Sequence, residues 1–260
     1  MCTSPRGWRP RLYRRKVAGF VDLHTHVVPS GDDGAQSVEA GLALCRQMAA
    51  DGAAVVYATP HMHPSDSWFP ITDDRIALVR EGYAEMKPAC AEFGLDLRLG
   101  WELAATGVLV GELEDYVLEQ TNAILLEIPG PWFSFEDEIA PTCEQAVEIR
   151  TAGFEVVFAH PERSLGIQQR PELLRELIEE FDARACLNAD SFLGGHGEKV
   201  EQCAWRLLEL GLGDFLGSDA HRLERPSNYA EAVDAIAARC GRDRALAVAG
   251  RSALTAIARR

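Results

Sequence analysis

The chain is poor in several things. No apolar run approaches the ~18–20 residues that a membrane span needs, so a membrane-embedded protein is not expected. Basic residues are outnumbered, 26 Lys and Arg against 40 Asp and Glu, for a formal net charge of -14. An acidic body of this kind repels phosphate backbones and argues against nucleic acid as a general partner. The seven cysteines (Cys2, Cys45, Cys90, Cys143, Cys186, Cys203 and Cys240) are odd in number and never form C-x-x-C. They read as small hydrophobes of a reduced, cytoplasmic protein. None precedes a glycine-rich anion loop with an arginine, which argues against a cysteine nucleophile. There is no linker rich in Ser, Pro or Gly, no internal repeat and no low-complexity stretch.

The basic residues are unevenly placed. Arg6, Arg9, Arg11, Arg14, Arg15 and Lys16 crowd the first residues without an acid among them. No apolar segment follows, so this is not read as a secretory signal. Residues 1–18 are expected to be a disordered basic tail, or the product of a start site placed too early; a basic arm for an acidic partner or anionic lipid is the sharper alternative. Residues 19–260 are expected to form a single domain, a size at which one large core is ordinary.

That domain alternates short apolar runs with helical periodicity. Runs ending at His26, Thr59, Glu102, Ile128, His160, Asn188 and Ser218 predict seven buried strands. Ser37 is a plausible helix N-cap and Gly52 a C-terminal stop; Thr72 opens a second helix that reaches about Phe93. Further helices are expected over Val110–Glu119, Pro141–Ala152, Pro171–Phe181, Lys199–Leu210 and after Ala230. Sustained β-α alternation implies a parallel sheet in an α/β fold, and seven units in this length favour a closed or nearly closed TIM-like barrel over two open sheets.

Five of the seven histidines stand at the ends of these runs. His24-x-His26 and Asp219-x-His221 each place two potential ligands on one strand face, because the side-chain period is two. A lone buried histidine is commonly satisfied by hydrogen bonds. Two such pairs on the first and last strands, which become neighbours when a barrel closes, are harder to explain that way. His61 and His160 end two more runs. Glu102 and Glu127 are carboxylates among apolar residues, costly unless paired with a base or bound to metal. Asp33, in Asp32-Asp33-Gly34, is either a ligand or a turn residue.

Imidazole with carboxylate and no thiolate suits Zn, Fe or Mn. Nine candidates (His24, His26, Asp33, His61, Glu102, Glu127, His160, Asp219 and His221) exceed what one ion takes and imply two or three. Four carboxylates against three divalent ions leave about two positive charges, suited to a phosphate dianion. Arg163 and Arg225, just beyond two of the strand ends, read as a phosphate clamp or as surface ion pairs. His63 is expected in an outer position or a loop, and His196 exposed in a flexible loop. Trp68, Phe69, Trp132 and Phe133 fall in loops that could flank an aromatic ring.

The motifs V-D-L-H-T-H, D-D-G-A, A-T-P-H, G-W-E-L, L-L-E-I-P, A-H-P-E-R and G-S-D-A-H, in this order from Phe20 to Arg225, closely resemble the polymerase-and-histidinol-phosphatase (PHP) superfamily. Within it they resemble the capsule-associated tyrosine phosphatases of the CpsB/CapC type. The resemblance implies a distorted (β/α)7 barrel of the PHP fold and three divalent ions, manganese first with iron or zinc as alternatives. All nine candidates match the family's metal ligands, and Arg163 and Arg225 its phosphate-gripping arginines. It also implies hydrolysis of phosphotyrosine on a bacterial tyrosine kinase tail that controls capsular or exopolysaccharide synthesis, in the cytoplasm, with room for an oligomer. The alternative is a phosphoesterase acting on a small phosphomonoester such as histidinol phosphate or a nucleotide. Gly130-Pro131 and Arg222 depart from the family pattern on the substrate-facing rim.

Overall fold

The apolar runs become short parallel strands, and the helical stretches pack outside them. The computed structural model describes residues 19–63, 69–70, 72–105, 112–129 and 135–258, excepting the side chains of 135–138. Among the described residues nine strands are formed: β1 Phe20–Thr25, β2 Ala53–Ala58, β3 His61–Met62, β4 Asp96–Leu99, β5 Glu102–Ala104, β6 Ala123–Glu127, β7 Glu155–Ala159, β8 Arg184–Asn188 and β9 Phe215–Gly217. Eight α-helices accompany them: α1 Val38–Asp51, α2 Asp73–Glu92, α3 Phe135–Thr151, α4 Leu165–Gln169, α5 Glu172–Phe181, α6 Glu198–Glu209, α7 Tyr229–Cys240 and α8 Arg242–Ala249. Ser37 caps α1 by accepting the Ala40 N–H, and Gly52 ends it in the left-handed region at φ 112°. Thr72 caps α2 through the Arg75 N–H. No helix among the described residues is long and apolar enough to cross a membrane.

The strands lie in two parallel sheets, β1-β2-β4 and β3-β5-β6-β7-β8-β9. The seven expected strands become nine. The second ends where expected, before Pro60, which has no N–H to donate, and a further short strand, β3, follows it; the third is divided by Gly100-Trp101 into β4 and β5. Single bonds link the sheets: Thr25 bridges Ala220, His26 N–H donates to the Ala220 carbonyl at 2.8 Å, and Asp219 N–H donates to the His24 carbonyl at 2.8 Å.

Alternate residues face opposite ways. Val21, Leu23, Val55, Tyr57, Leu125, Val157 and Phe215 form a core cluster that draws on both sheets, while their neighbours Val56, Ile124, Leu126, Val156 and Phe158 join the larger core with the helices. Such two-sided burial explains why these strands read as near-continuous apolar runs. Helix α3 begins at Phe135, earlier than its apolar pattern predicts, and Val110–Glu119 holds only a 3-10 turn at Leu113–Tyr116 among its described residues. The basic tail, Trp68, Trp132 and Phe133 lie outside the described residues.

Candidate metal centre

The carboxyl ends of the parallel strands converge, where ligands bind in α/β sheets. Glu102, fully buried at the start of β5, lies at the centre. Its Oε1 lies 3.2 Å from His24 Nε2 and 2.7 Å from His160 Nε2, and its Oε2 lies 3.4 Å from His26 Nε2 and 2.8 Å from His61 Nδ1. Asp219 Oδ1 faces both first-strand imidazoles, 3.3 Å from His24 Nε2 and 3.3 Å from His26 Nε2. Asp33 Oδ1 stands between His61 Nε2 at 3.4 Å and His221 Nε2 at 3.3 Å. Glu127 is farther out, 3.8 Å from His160 Nε2. All nine sequence candidates thus occupy one rim.

Local backbone sets these positions. His160 and Asp219 adopt left-handed conformations, φ 31° and 53°, which turn the chain where it leaves β7 and β9. At Gly217 a Cβ would come within 2.7 Å of His24 Cβ, so glycine lets the last strand pass close to the first. Thr59 orients His24. Its hydroxyl lies 3.2 Å from the Thr25 carbonyl, to which it donates, and 2.6 Å from His24 Nδ1, which must then be the donor to it. In the neutral ring the lone pair is left on Nε2, toward Glu102 and Asp219. His221 Nδ1 likewise donates to the Asp219 carbonyl at 2.7 Å, leaving Nε2 toward Asp33. Ring nitrogens fixed through their opposite edge are typical of metal-binding histidines.

The electrostatics favour added positive charge. Burial disfavours the ionised form of Glu102, yet His24, His61 and His160 hold its carboxyl well below the usual range. Asp219 is buried too and is held low by His24, His26 and His221. Burial pulls His24 down, but Glu102 and Asp219 outweigh it and raise the imidazole to about 9. Glu127 moves the other way, to about 7, through burial and the neighbouring Glu102. Burial and Arg163 lower His160 to about 4. Several buried polar atoms have no hydrogen-bond partner: His24 Nε2, both nitrogens of His26, Asp33 Oδ1, His61 Nδ1 and Glu102 Oε2. Buried groups left in this state are costly unless something else binds them. Three compact sets offer one ligand atom each within 4.8 Å of one another: His26, His61 and His221; His24, His26 and Asp219; His24, Glu102 and His160. Imidazole and carboxylate atoms so arranged fit divalent cations.

Two guanidinium groups meet the outer oxygen of Asp219. Arg163 Nη1 donates to Asp219 Oδ2 at 3.0 Å and Arg225 Nη2 to the same atom at 2.6 Å. Asn188 Nδ2 is 3.3 Å from that oxygen, so the one strand end without a proposed ligand still supports the site. Other supporting residues escaped the sequence reading. Asp32 accepts the Gly34 and His61 N–H groups at 2.8 and 3.2 Å, and buried Glu162 accepts from Asn188 N–H at 2.9 Å and Ser191 Oγ at 2.7 Å. The D-D-G and H-P-E-R motifs contain both, but nothing local reveals their partners. Arg222 donates from Nε to the Asp33 carbonyl at 2.8 Å. His196, expected to be exposed, is half-buried, with an unpartnered and buried Nε2; its loop folds back beside Asp190 instead of extending into solvent.

The chain is similar to known proteins in sequence and in fold. YwqE, a tyrosine-protein phosphatase of Bacillus subtilis strain 168, is 28% identical over 211 residues, 79% of this chain and 78% of its own. The tyrosine-protein phosphatase CpsB of Streptococcus agalactiae is 25% identical over 237 residues, 87% of this chain and 93% of its own. A crystal structure from the pair YwqE of B. subtilis and CpsB of Streptococcus pneumoniae, described as unique metal-dependent tyrosine phosphatases, superposes with a TM-score of 0.70 at 26% identity, covering 86% of this chain and 89% of that one. Histidinol phosphate phosphatase of Lactococcus lactis shares the fold alone, with a TM-score of 0.52 at 16% identity over 88% of this chain and 94% of that one. The family described as "Capsular polysaccharide synthesis, CpsB/CapC" matches residues 20–257, from the first strand to beyond the last helix, and the chain belongs to it.

Proposed function

We propose that this chain is a metal-dependent protein-tyrosine phosphatase, acting on phosphotyrosine of a bacterial tyrosine kinase in capsular or exopolysaccharide synthesis. The observation that carries the reading is the rim itself. Unpartnered imidazole and carboxylate atoms are buried together, with two arginines on their outer edge. His24, His26, Asp33, His61, Glu102, Glu127, His160, Asp219 and His221 would hold three divalent ions, manganese first, with iron or zinc as alternatives. Bound ions supply Lewis acidity and lower the pKa of a coordinated water toward neutrality.

The chain's own groups do the rest. Arg163 and Arg225 bind the phosphoryl oxygens and neutralise the charge that grows on them. Thr59 and the Asp219 carbonyl keep His24 and His221 in the tautomers that face the site. A tyrosine leaving group has a pKa near ~10 and needs less acid assistance than an alkyl alkoxide. Phe69 stacks on His61, with centroids 5.2 Å apart and planes 1° apart, and offers an apolar ring beside the metal rim. This favours an aryl over an alkyl phosphomonoester. The Thr25–Ala220 bridge and the core cluster shared by both sheets support reading the strands as a distorted (β/α)7 barrel of the PHP type. The enzyme is proposed to work in the cytoplasm.

The test is turnover of a phosphotyrosine peptide, histidinol phosphate and an oligonucleotide in parallel, after chelation and again after manganese is restored. The expected result is peptide hydrolysis that vanishes on chelation and returns with manganese. Full activity in the chelated protein, or in His24→Ala, would sink the assignment.

A further inference from the structure

A fourth compact set lies beside the other three. His61, His63 and Glu127 each bring one ligand atom within 4.8 Å of the others. His63 sits just past the A-T-P-H motif, and the phosphatase site described above does not use it. Its Nδ1 is buried and has no hydrogen-bond partner. Glu127 makes no close ion pair with His160, whose Nε2 is 3.8 Å from its Oε1. His61 stands between groups: Nε2 faces Asp33 and Nδ1 faces the Glu102 side.

The position of His63 is built. Its backbone bridges Pro70, and its ring meets His61 at 5.6 Å and 67° and Phe69 at 6.0 Å and 67°. Phe69 therefore touches both imidazoles, flat against one and edge-on to the other. Arg75, in the first turn of α2, fastens this corner. Its guanidinium donates to the carbonyls of Ser30 at 2.9 Å, His61 at 3.1 Å, Pro70 at 3.0 Å and Phe69. A surface-loop histidine would not need a cation directing four N–H donors at the backbone around it. Ligands held in place by their surroundings bind metal more tightly, because less freedom is lost on binding.

We propose that His63 is a divalent-metal ligand and that, with Glu127 and His61, it forms a cation site at the outer rim of the centre. A nitrogen lone pair serves one ion, and His61 already faces the His26 and His221 group. The His63 site is therefore the last to fill and the first to empty. This inference rests on the metal-dependent reading above, but its readout is metal content, not turnover.

The experiment counts manganese bound per chain by plasma mass spectrometry, on purified protein equilibrated at graded free Mn2+. In His63→Gln the weakest binding step is expected to move at least about tenfold to higher Mn2+, the lower end of what losing even an outer-shell partner costs. His63→Asp, which supplies an anionic carboxylate ligand where Gln has only a neutral amide, is expected to recover much of it, which a folding defect would not. Superimposed isotherms for wild type and His63→Gln, or equal losses in the Gln and Asp variants, overturn the proposal. Phosphotyrosine turnover on the same samples separates the two readings. A wild type that binds no manganese overturns both, whereas binding without a His63-dependent step overturns this one alone.

Discussion

At the scale of single residues, the site depends on groups that hold other groups. Thr59 fixes the tautomer of His24 through one hydroxyl. Thr59→Val keeps the shape and removes that bond, so manganese affinity should fall about 10- to 100-fold, as for other outer-shell partners; competition with a chromogenic chelator measures it. Arg163 is expected to act on the transition state. Arg163→Ala should lower kcat by about 100-fold, the loss typical of one oxyanion donor, while the metal content stays that of the wild type. A change in KM alone would mean that Arg163 only binds substrate. The nine rim residues were legible in the chain because ligand chemistry restricts residue type and strand period restricts spacing. Thr59 and Asn188 were not, since a threonine or asparagine has many local uses. Their partners lie 35 residues away for Thr59 and 31 for Asn188.

At the scale of elements, helix α2 is tied to the end of β4 through a polar cluster. Lys87 Nζ lies 2.7 Å from Glu119 Oε1, Tyr83 donates to Oε2, and Leu99 N–H donates to the same oxygen at 3.2 Å. Burial opposes ionisation of Glu119, but Lys87, Tyr83 and Leu99 together lower its pKa. A carboxyl lowered in the folded state stabilises above its unfolded pKa and loses that contribution as pH falls through the folded value. Glu119→Gln should therefore be less stable than wild type at neutral pH, with the gap closing below about pH 4. Urea titrations at several pH values would show it, and a gap that widens in acid would contradict it. Elements were legible where caps and apolar runs announce them, as with Ser37, Gly52 and Thr72. The short strand β3 and the break between β4 and β5 were not. Two residues past Pro60 carry no periodic signal, and Gly100 matters because a Cβ there would come within 2.4 Å of Leu118.

At the scale of the molecule, acid exceeds base and the excess is partly concentrated at the rim. Removing bound cations should leave those carboxylates to repel one another. One ion at 100 times its Kd adds about 2.7 kcal/mol by mass action. Chelation should accordingly lower Tm, and above the Kd Tm should rise with the logarithm of free Mn2+, whereas a variant such as Glu102→Gln should respond less. A scanning calorimetry series at graded Mn2+ tests this, and an unchanged Tm would count against a cation-filled rim. α/β alternation was legible in the chain, but its division into two sheets joined by single bonds was not, because that depends on which strand ends meet. The meeting of the first strand with the last has a consequence for synthesis. Asp22 receives the Ser218 N–H, a contact spanning 196 residues, and His24 faces Asp219. Contacts so distant in sequence form late in folding. A nascent chain that has not yet emitted β9 carries most of the histidines but lacks Asp219 and His221, so the two sets that use them cannot form until translation has passed residue 221. Full loading is thereby coupled to completion of the polypeptide, and chains truncated before that strand are expected to bind fewer ions than the whole chain.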